Sequence, residues 1–532
     1  MYDMDAALQA INRSGQLRGL LLFLGLIGAG WVVAFWIVNG SAQMLTVSGM
    51  AITMVIIVGS TLRNWRVGLF LFIPWVLFED LPRKYLGNGT LLFFGKDVLA
   101  AAIYLSVFIA IRRGDVARFK LPFRVPLALF VALAVIQVFN TWTPSVIYGL
   151  LGLKLYFFYV PLILVGYALV RTGRELERFL VYNVILGILI GALGIVQSVV
   201  GFSFLNPATL APELQELGQL TRRSPITHLA VVAPTSVFVS AGRFGTFVIL
   251  AAILALGAQA YLLLTRRRAV YGFLGIGIAI VAAMQSGSRG CILYTMMSAL
   301  VLSAGFLWGA PWRWGQGRRL VKAVRRACFV GAVGLFLMIQ LFPKSIGASW
   351  AFYSETLSPT SSASELRYRS WDQPIVNLEQ AFEHERWFYG YGTGTASLGT
   401  QYVARLLGQP QINNWVENGW GELVLEMGIL GPILWLIWSG SLLYYAWKIV
   451  RHLRGTIYFP VALSIFWYSF LLLIPFTYGG LAFYQNYVMN AYFWLLIGVL
   501  FRLPHLARPP LGGSSQATGP TLQGFAAYPG GQ

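Results

Sequence analysis

At 532 residues, 57% of them hydrophobic and only 11% charged, the chain is too apolar for a water-soluble globule, whose apolar and charged shares lie near ~45–50% and ~25%. An all-α polytopic membrane protein remains. The net charge of +20 does not indicate nucleic acid, because the basic residues stand in short clusters between apolar runs, the pattern of membrane topology and of contact with anionic lipid headgroups.

A helix needs roughly 20 apolar residues to cross a bilayer. That ruler finds about fourteen candidate spans (twelve to fourteen), near 17–39, 43–61, 67–79, 92–111, 124–140, 148–170, 179–201, 244–264, 270–285, 290–309, 326–342, 420–447, 459–478 and 486–501. The first is too long for a signal-peptide core and no small-residue cleavage site follows it, so it is read as a retained helix. With the N-terminus in the cytoplasm, Arg63/Arg66, Arg112/Arg113, Arg171/Arg174/Arg178, Arg266/Arg267/Arg268, Arg318/Arg319 and Lys448/Arg451 all fall on one side; 26 of the 39 Lys and Arg are then cytoplasmic, as the positive-inside rule requires.

The expected organisation is N-terminal transmembrane helices over 1–201, a long outer loop over 202–243, central helices over 244–342, a second outer loop over 343–419 carrying the chemistry, C-terminal helices over 420–502, and a Pro/Gly/Ser-rich tail over 503–532. The tail reads as disordered and cytoplasmic. Of the 19 Asp and Glu, 14 go to the outer side. No internal repeat and no paired broken helices point to an inverted-repeat transporter. Cys291 and Cys328 fall in apolar runs and read as packing residues, not as a disulfide framework or a metal site.

Charged residues inside or at the ends of spans are costly and mark candidate sites. Arg83 and Lys84 lie in an outer loop. Lys96 and Asp97 lie about a turn inside their span and are expected to neutralise each other, whereas Lys154, similarly placed, has no partner nearby in sequence and is the better functional candidate. Arg243 stands at the outer mouth of the 244–264 span, and Arg289, in GSRG, lies between two spans joined by almost no loop; each either pairs functionally or snorkels to the headgroups. Arg367 and Arg369 in ELRYRSW would point to one side of an extended chain. With Arg289 they would make a diphosphate clamp, because guanidinium forks bind phosphate bidentately and keep their charge. The alternative is salt bridges to Glu365 or Asp372.

Further along, Trp371, Ile375, Leu378 and Phe382 recur at helical spacing opposite Asp372, Glu379 and Glu383, which reads either as a helix on the membrane surface or as an ordinary packed loop helix. Gly390, Gly392 and Gly394 offer a backbone nest for an anion, or a flexible turn. Glu417 and Asn418 stand where an apolar helix begins: the carboxylate either caps free N–H groups or, partly desolvated, accepts a proton from a sugar hydroxyl. Glu422 and Glu426 follow on that helix as candidate arginine partners. None of the four histidines forms HExxH or another metal pattern, so neither a metal nor a cofactor is expected.

In their order and spacing, SGSRG, RYRSW, GYGTG and ENGWGELVLEMGILG resemble the O-antigen ligase and polymerase family of bacterial envelope glycosyltransferases over roughly residues 240–450, and RKYL…FFGKD at 83–97 also looks like members of this group. The resemblance implies a type C glycosyltransferase fold in the bacterial inner membrane and glycan transfer from an undecaprenyl-diphosphate carrier on the periplasmic face. Arg289 and one of Arg367 or Arg369 look like the family's carrier-diphosphate arginines. Ligases of the family carry a histidine followed by Asn or Ser where this chain has Glu417-Asn418, which favours a polymerase, or another transferase, with Glu417 as base. Diphosphate is a good leaving group and needs charge neutralisation more than an acid.

The expected function is therefore metal-independent, inverting polymerisation of undecaprenyl-diphosphate-linked repeat units of an exopolysaccharide or O-antigen. Glu417 would be catalytic, Arg289, Arg367, Arg369 and Arg243 would hold the diphosphate, and Lys154, Asn418, Glu422, Arg83 and Lys84 are secondary candidates. The rivals are a ligase onto lipid A core or protein, and a transporter or flippase of the same lipid-linked glycan. Expected partners are the lipid-linked glycans as donor and acceptor, membrane lipids and a chain-length regulator; both termini are expected in the cytoplasm.

Overall fold

The computed structural model describes residues 42–86, 90–116, 119–201, 203–207, 221–223, 230–265, 270–312, 343–357, 372–410 and 416–507, with single positions at 322, 325, 336, 340 and 412. The expected span near 17–39, the expected span near 326–342 apart from positions 336 and 340, Cys328, Arg367 and Arg369 lie outside the described residues.

The apolar runs are helical. Eight described helices are long and apolar enough to cross a membrane: Phe94–Arg112, Val146–Leu169, Gly173–Val200, Ala241–Leu264, Arg289–Gly309, Leu430–His452, Phe459–Gly479 and Tyr487–Ala507. Ala42–Arg63, Trp65–Phe78, Arg124–Val138 and Val270–Gln285 coincide with four further expected spans. The starts are capped as the sequence allows: Ser240, Ser288 and Asn64 each accept a backbone N–H of the following turn, and Thr172 with Glu175 forms a full capping box.

Four boundaries differ from expectation. The 420–447 run is two helices, Gly419–Met427 and Leu430–His452, broken at Gly428. Gly428 has φ +68° and lies so close to the Phe388 carbonyl that a side chain has no room, which is the backbone position only glycine fills without strain. In Phe459–Gly479, Pro475 removes a helical N–H and the turn Leu472–Phe476 opens to a π-helix. Tyr487–Ala507 runs through Pro504 into the segment expected to be a disordered tail. Finally, the 202–243 loop carries a small antiparallel pair, Thr221–Arg223 against Ala230–Val232.

The helices alternate in direction, and contacts at each end show which termini lie together. At one end Arg66 pairs with Glu175 at 2.5 Å, Arg171 Nη2 donates to Asp115 O, and Gly455 N–H donates to Gly309 O. At the opposite end the 137–143 turn holds 389–391, and residues 80–84 meet 235–243. The two long expected outer loops therefore share one end, and the basic clusters around 63–66, 112–113 and 171–178 share the other. Through the middle, Leu162–Leu169 packs along Tyr487–Ala507 at backbone distance: a Cβ on Gly166 would strike the Leu495 carbonyl, and one on Gly498 the Ile163 carbonyl. Small residues that admit this approach are the usual device of helix association in lipid, where apolar burial gives no advantage.

Candidate functional site

The short helix Asp80–Leu86 follows Trp65–Phe78 without a loop and turns its charges inward. Asp80 is fully buried and joins two candidates: Arg83 Nη1 contacts its Oδ1 at 2.8 Å, and Arg243 Nη1 its Oδ2 at 2.8 Å. The Val239 N–H adds a third bond to Oδ2. Burial alone would raise this carboxyl, but the Arg243 and Arg83 guanidiniums outweigh it and hold Asp80 down at about 2. Lys84, also buried, donates to Thr235 Oγ1 at 2.9 Å and Ser236 O at 2.8 Å. Burial pulls its ammonium down to about 7 against the opposing charge of Asp80. The 235–236 turn is fixed in its own right, since Gln197 Oε1 accepts the N–H groups of both Thr235 and Ser236.

Lys96 and Asp97 do not neutralise each other. Neighbours on a helix point about 100° apart, so Lys96 reaches Glu79 at 2.7 Å while Asp97 reaches Lys154 at 2.5 Å. Lys154 thus has a carboxylate partner from a distant span, which corrects its reading as a cation without one. Tyr487, at the start of the Tyr487–Ala507 helix, joins the two halves of the cluster: Lys96 Nζ lies 4.7 Å and the Arg243 guanidinium 5.2 Å from its ring centre. Five cations (Arg83, Lys84, Lys96, Lys154, Arg243) and three carboxylates (Glu79, Asp80, Asp97) therefore converge at the loop-bearing end of the bundle.

Arg289 begins the next helix but one. Its helix packs beside Ala241–Leu264, where Cys291 Sγ donates to Gly245 O, so Arg289 and Arg243 sit at the same end of parallel neighbours. The half-buried Arg289 guanidinium lies 4.8 Å from the Phe352 ring centre, a cation–π contact from Pro343–Leu357.

At Glu417 the two readings separate. Asn418 is the cap: its Oδ1 accepts the N–H groups of Trp420 and Gly421, and its Nδ2 donates to Pro374 O. Asn418 is buried, whereas Glu417 is exposed and so lacks the partial desolvation expected of it. The Glu417 carboxylate accepts from Gln373 Nε2, and its backbone N–H donates to Asn377 Oδ1. The helix Gln373–Glu383 thus holds Glu417 from the side while Asn418 terminates the helix below.

That helix differs in its faces from expectation. Opposite Glu379 and Glu383 lies not the Ile375/Phe382 stripe but Pro374 and Ala381, buried against Gly419–Met427; Ile375 and Phe382 are exposed beside the acids.

The glycine segment is neither a flexible turn nor an open nest. Residues 392–397 are buried, and the group they hold is internal: the Glu426 carboxyl accepts from Ala396 N–H at 3.1 Å, Ser397 Oγ at 2.6 Å and Tyr156 OH at 2.8 Å. Glu426 is therefore committed to fold. Glu422, one turn above, is buried too and pairs with no arginine among the described residues.

The structure thus brings Arg83, Lys84, Lys154 and Arg243 into one cluster, with Arg289 on the neighbouring helix, and sets Glu417 and Asn418 on a second element at the same end. Asp80, Glu79 and Tyr487 are the residues that sequence reasoning missed. The Asp80/Arg83 spacing of three was a visible helical signal; nothing marked Tyr487. No protein-family model matches the chain, and no curated protein matches it.

Proposed function

We propose that the protein is an inverting membrane glycosyltransferase of type C architecture, with about fourteen spans, that polymerises undecaprenyl-diphosphate-linked repeat units of an exopolysaccharide or O-antigen at the periplasmic face of the bacterial inner membrane. The observation that carries this reading is the division of labour at 417–418: because Asn418 takes the capping bonds, Glu417 offers an exposed carboxylate at the same end of the bundle as the cluster of five cations and three carboxylates. In this reading an acceptor hydroxyl gives its proton to Glu417 as its oxygen bonds to the anomeric carbon, and the bond from that carbon to the carrier diphosphate breaks with inversion. The departing diphosphate takes the electron pair, and Arg289 and the Arg83/Lys84/Arg243 group neutralise it. Asp80 engages one nitrogen, Nη1, of each arginine, which orients the forks. The order of the SGSRG, GYGTG and ENGW motifs supports the same class.

Reconstitution with a defined lipid-diphosphate oligosaccharide tests it. A ladder of repeat lengths is expected; one transfer to a different acceptor would make the protein a ligase, and transbilayer movement with no new covalent product a flippase. Arg289→Ala should lower transfer by ~10²–10³-fold, the scale of losing one preorganised charge-stabilising donor. Arg289→Lys should restore little of it, because an ammonium does not reproduce the fork; full activity in the Ala variant would remove Arg289 from the site. The sidedness is checked at Gln409, exposed in the second long loop: an impermeant thiol reagent should label Gln409→Cys in intact spheroplasts, and labelling only after lysis would invert the topology.

A further inference from the structure

The turn after the Gln373–Glu383 helix is aromatic and exposed. Phe382 meets Trp387 with ring centres 5.5 Å apart, Trp387 meets Phe388 at 5.6 Å, and Phe388 meets Tyr389 at 4.9 Å. All four are exposed, as are Phe139 and Trp142 nearby, and the Arg386 guanidinium stacks on Trp142. Apolar surface so continuous is not left to water.

Its height in the molecule is fixed by the ends of two apolar helices. At the end of Arg124–Val138, Gln137 Nε2 donates to Tyr389 O at 2.8 Å, and just beyond it Asn140 Nδ2 donates to Gly390 O at 3.1 Å. At the start of the Leu430–His452 span, Ile429 N–H donates to Phe388 O at 3.2 Å. Arg124–Val138 also exposes Val125, Leu129 and Ile136, the outward apolar face of a helix in lipid, and Phe139 continues that face into the aromatic turn. The turn therefore stands at the depth where spans leave the hydrocarbon, the level at which Trp and Tyr collect in membrane proteins.

We propose that 373–389 is an interfacial anchor. Ile375, Phe382, Trp387, Phe388 and Tyr389 enter the headgroup boundary of the outer leaflet, Arg386 meets lipid phosphate, Glu379 and Glu383, which flank Ile375 and Phe382, stand among the headgroups, and Gln380 stays in water. Because Gln373, Pro374 and Asn377 also hold Glu417 and Asn418, the anchor sets the height of Glu417 against a donor whose diphosphate lies at the same headgroup level; this last step rests on the transferase reading, the anchoring does not.

Nitroxide labels on the full-length protein in phosphatidylethanolamine/phosphatidylglycerol vesicles, with Cys291 and Cys328 replaced by Ser, test the anchor. Labels at Phe388→Cys and Ile375→Cys should favour collision with oxygen over an aqueous nickel chelate and lie roughly 5–10 Å below the phosphates, whereas one at Gln380→Cys should favour the chelate. Three chelate-favouring labels would overturn the proposal, and so would shielding at 388 that disappears on dilution in lipid, since a second copy would then be the occupant. Phe388→Glu should drive the turn outward and lower transfer by up to ~10²-fold, the cost of a misplacement of about 1 Å, while Phe388→Trp keeps both depth and activity. Correct depth without transfer by any variant would sink the transferase reading and leave the anchor standing. An outward shift in Phe388→Glu with undiminished transfer would break the link to Glu417.

Discussion

Glu417→Gln should lower single-turnover glycan transfer by about 10²–10⁴-fold, the span that general base catalysis supplies, while the protein melts at nearly the wild-type temperature. Stability should hold because the fold asks little of this carboxylate. The cap bonds belong to Asn418, the backbone N–H of Glu417 reaches Asn377 whatever the side chain, and a glutamine carbonyl oxygen can still accept from Gln373. Only proton acceptance is lost. Asn418→Ala is the converse: it strands the Trp420 and Gly421 N–H groups and should cost at least the ~0.5–2 kcal/mol of a helix cap. A Glu417→Gln enzyme that turns over normally would end the role of Glu417 as base, and the search would pass to Glu422.

The second large effect is expected at Asp80, on stability. Asp80→Ala leaves the Arg83 and Arg243 guanidiniums facing one another without their shared carboxylate, and breaking a buried pair in this way costs about 3–5 kcal/mol. The sign of its pH dependence follows from a carboxyl held at about 2 in the fold against roughly 3.9 in an open chain. A depressed value stabilises the folded state above the open-chain value and is lost only as the pH falls through the folded one. The difference between wild type and Asp80→Ala in denaturant unfolding from mild detergent should therefore shrink as the pH falls from about 4 toward 2, whereas nearer neutrality Lys84, which burial pulls to about 7 against the opposing charge of Asp80, adds a slope of its own. A loss below about 1 kcal/mol at pH 7, the range of an exposed pair, would mean that water reaches the cluster.

The long apolar helices were legible because a bilayer imposes a length on an apolar run; their caps at Ser240, Ser288 and Thr172 were not read from the sequence, though each follows from a single side chain. The break at Gly428 was not, since glycine is common inside membrane helices and its left-handed turn is imposed by the Phe388 carbonyl, contributed from forty residues upstream. Charged positions were legible as costly, but their partners were not. Lys154 finds Asp97 and Arg243 finds Asp80 across helices whose neighbourhood no local pattern records. The adjacency of Lys96 and Asp97 misled because neighbours in sequence diverge on a helix. At 417–418 the sequence left two readings of one carboxylate, and the difference was a single residue: the amide one position later had the geometry for the cap.

The glycines that let Leu162–Leu169 and Tyr487–Ala507 touch backbone to backbone also bear on biosynthesis. Translation delivers Tyr487–Ala507 after every other helix described, so until it inserts, the Gly166 face has no mate, and Lys96 and Arg243 have no ring of Tyr487 to share. Early and late segments are sealed by one insertion event, and the ring that joins the two halves of the charge cluster arrives at the same moment. A nascent chain halted before that point leaves the backbone face at Gly166 uncovered, so the arrival of Tyr487–Ala507 is the step that closes the packing begun by Leu162–Leu169.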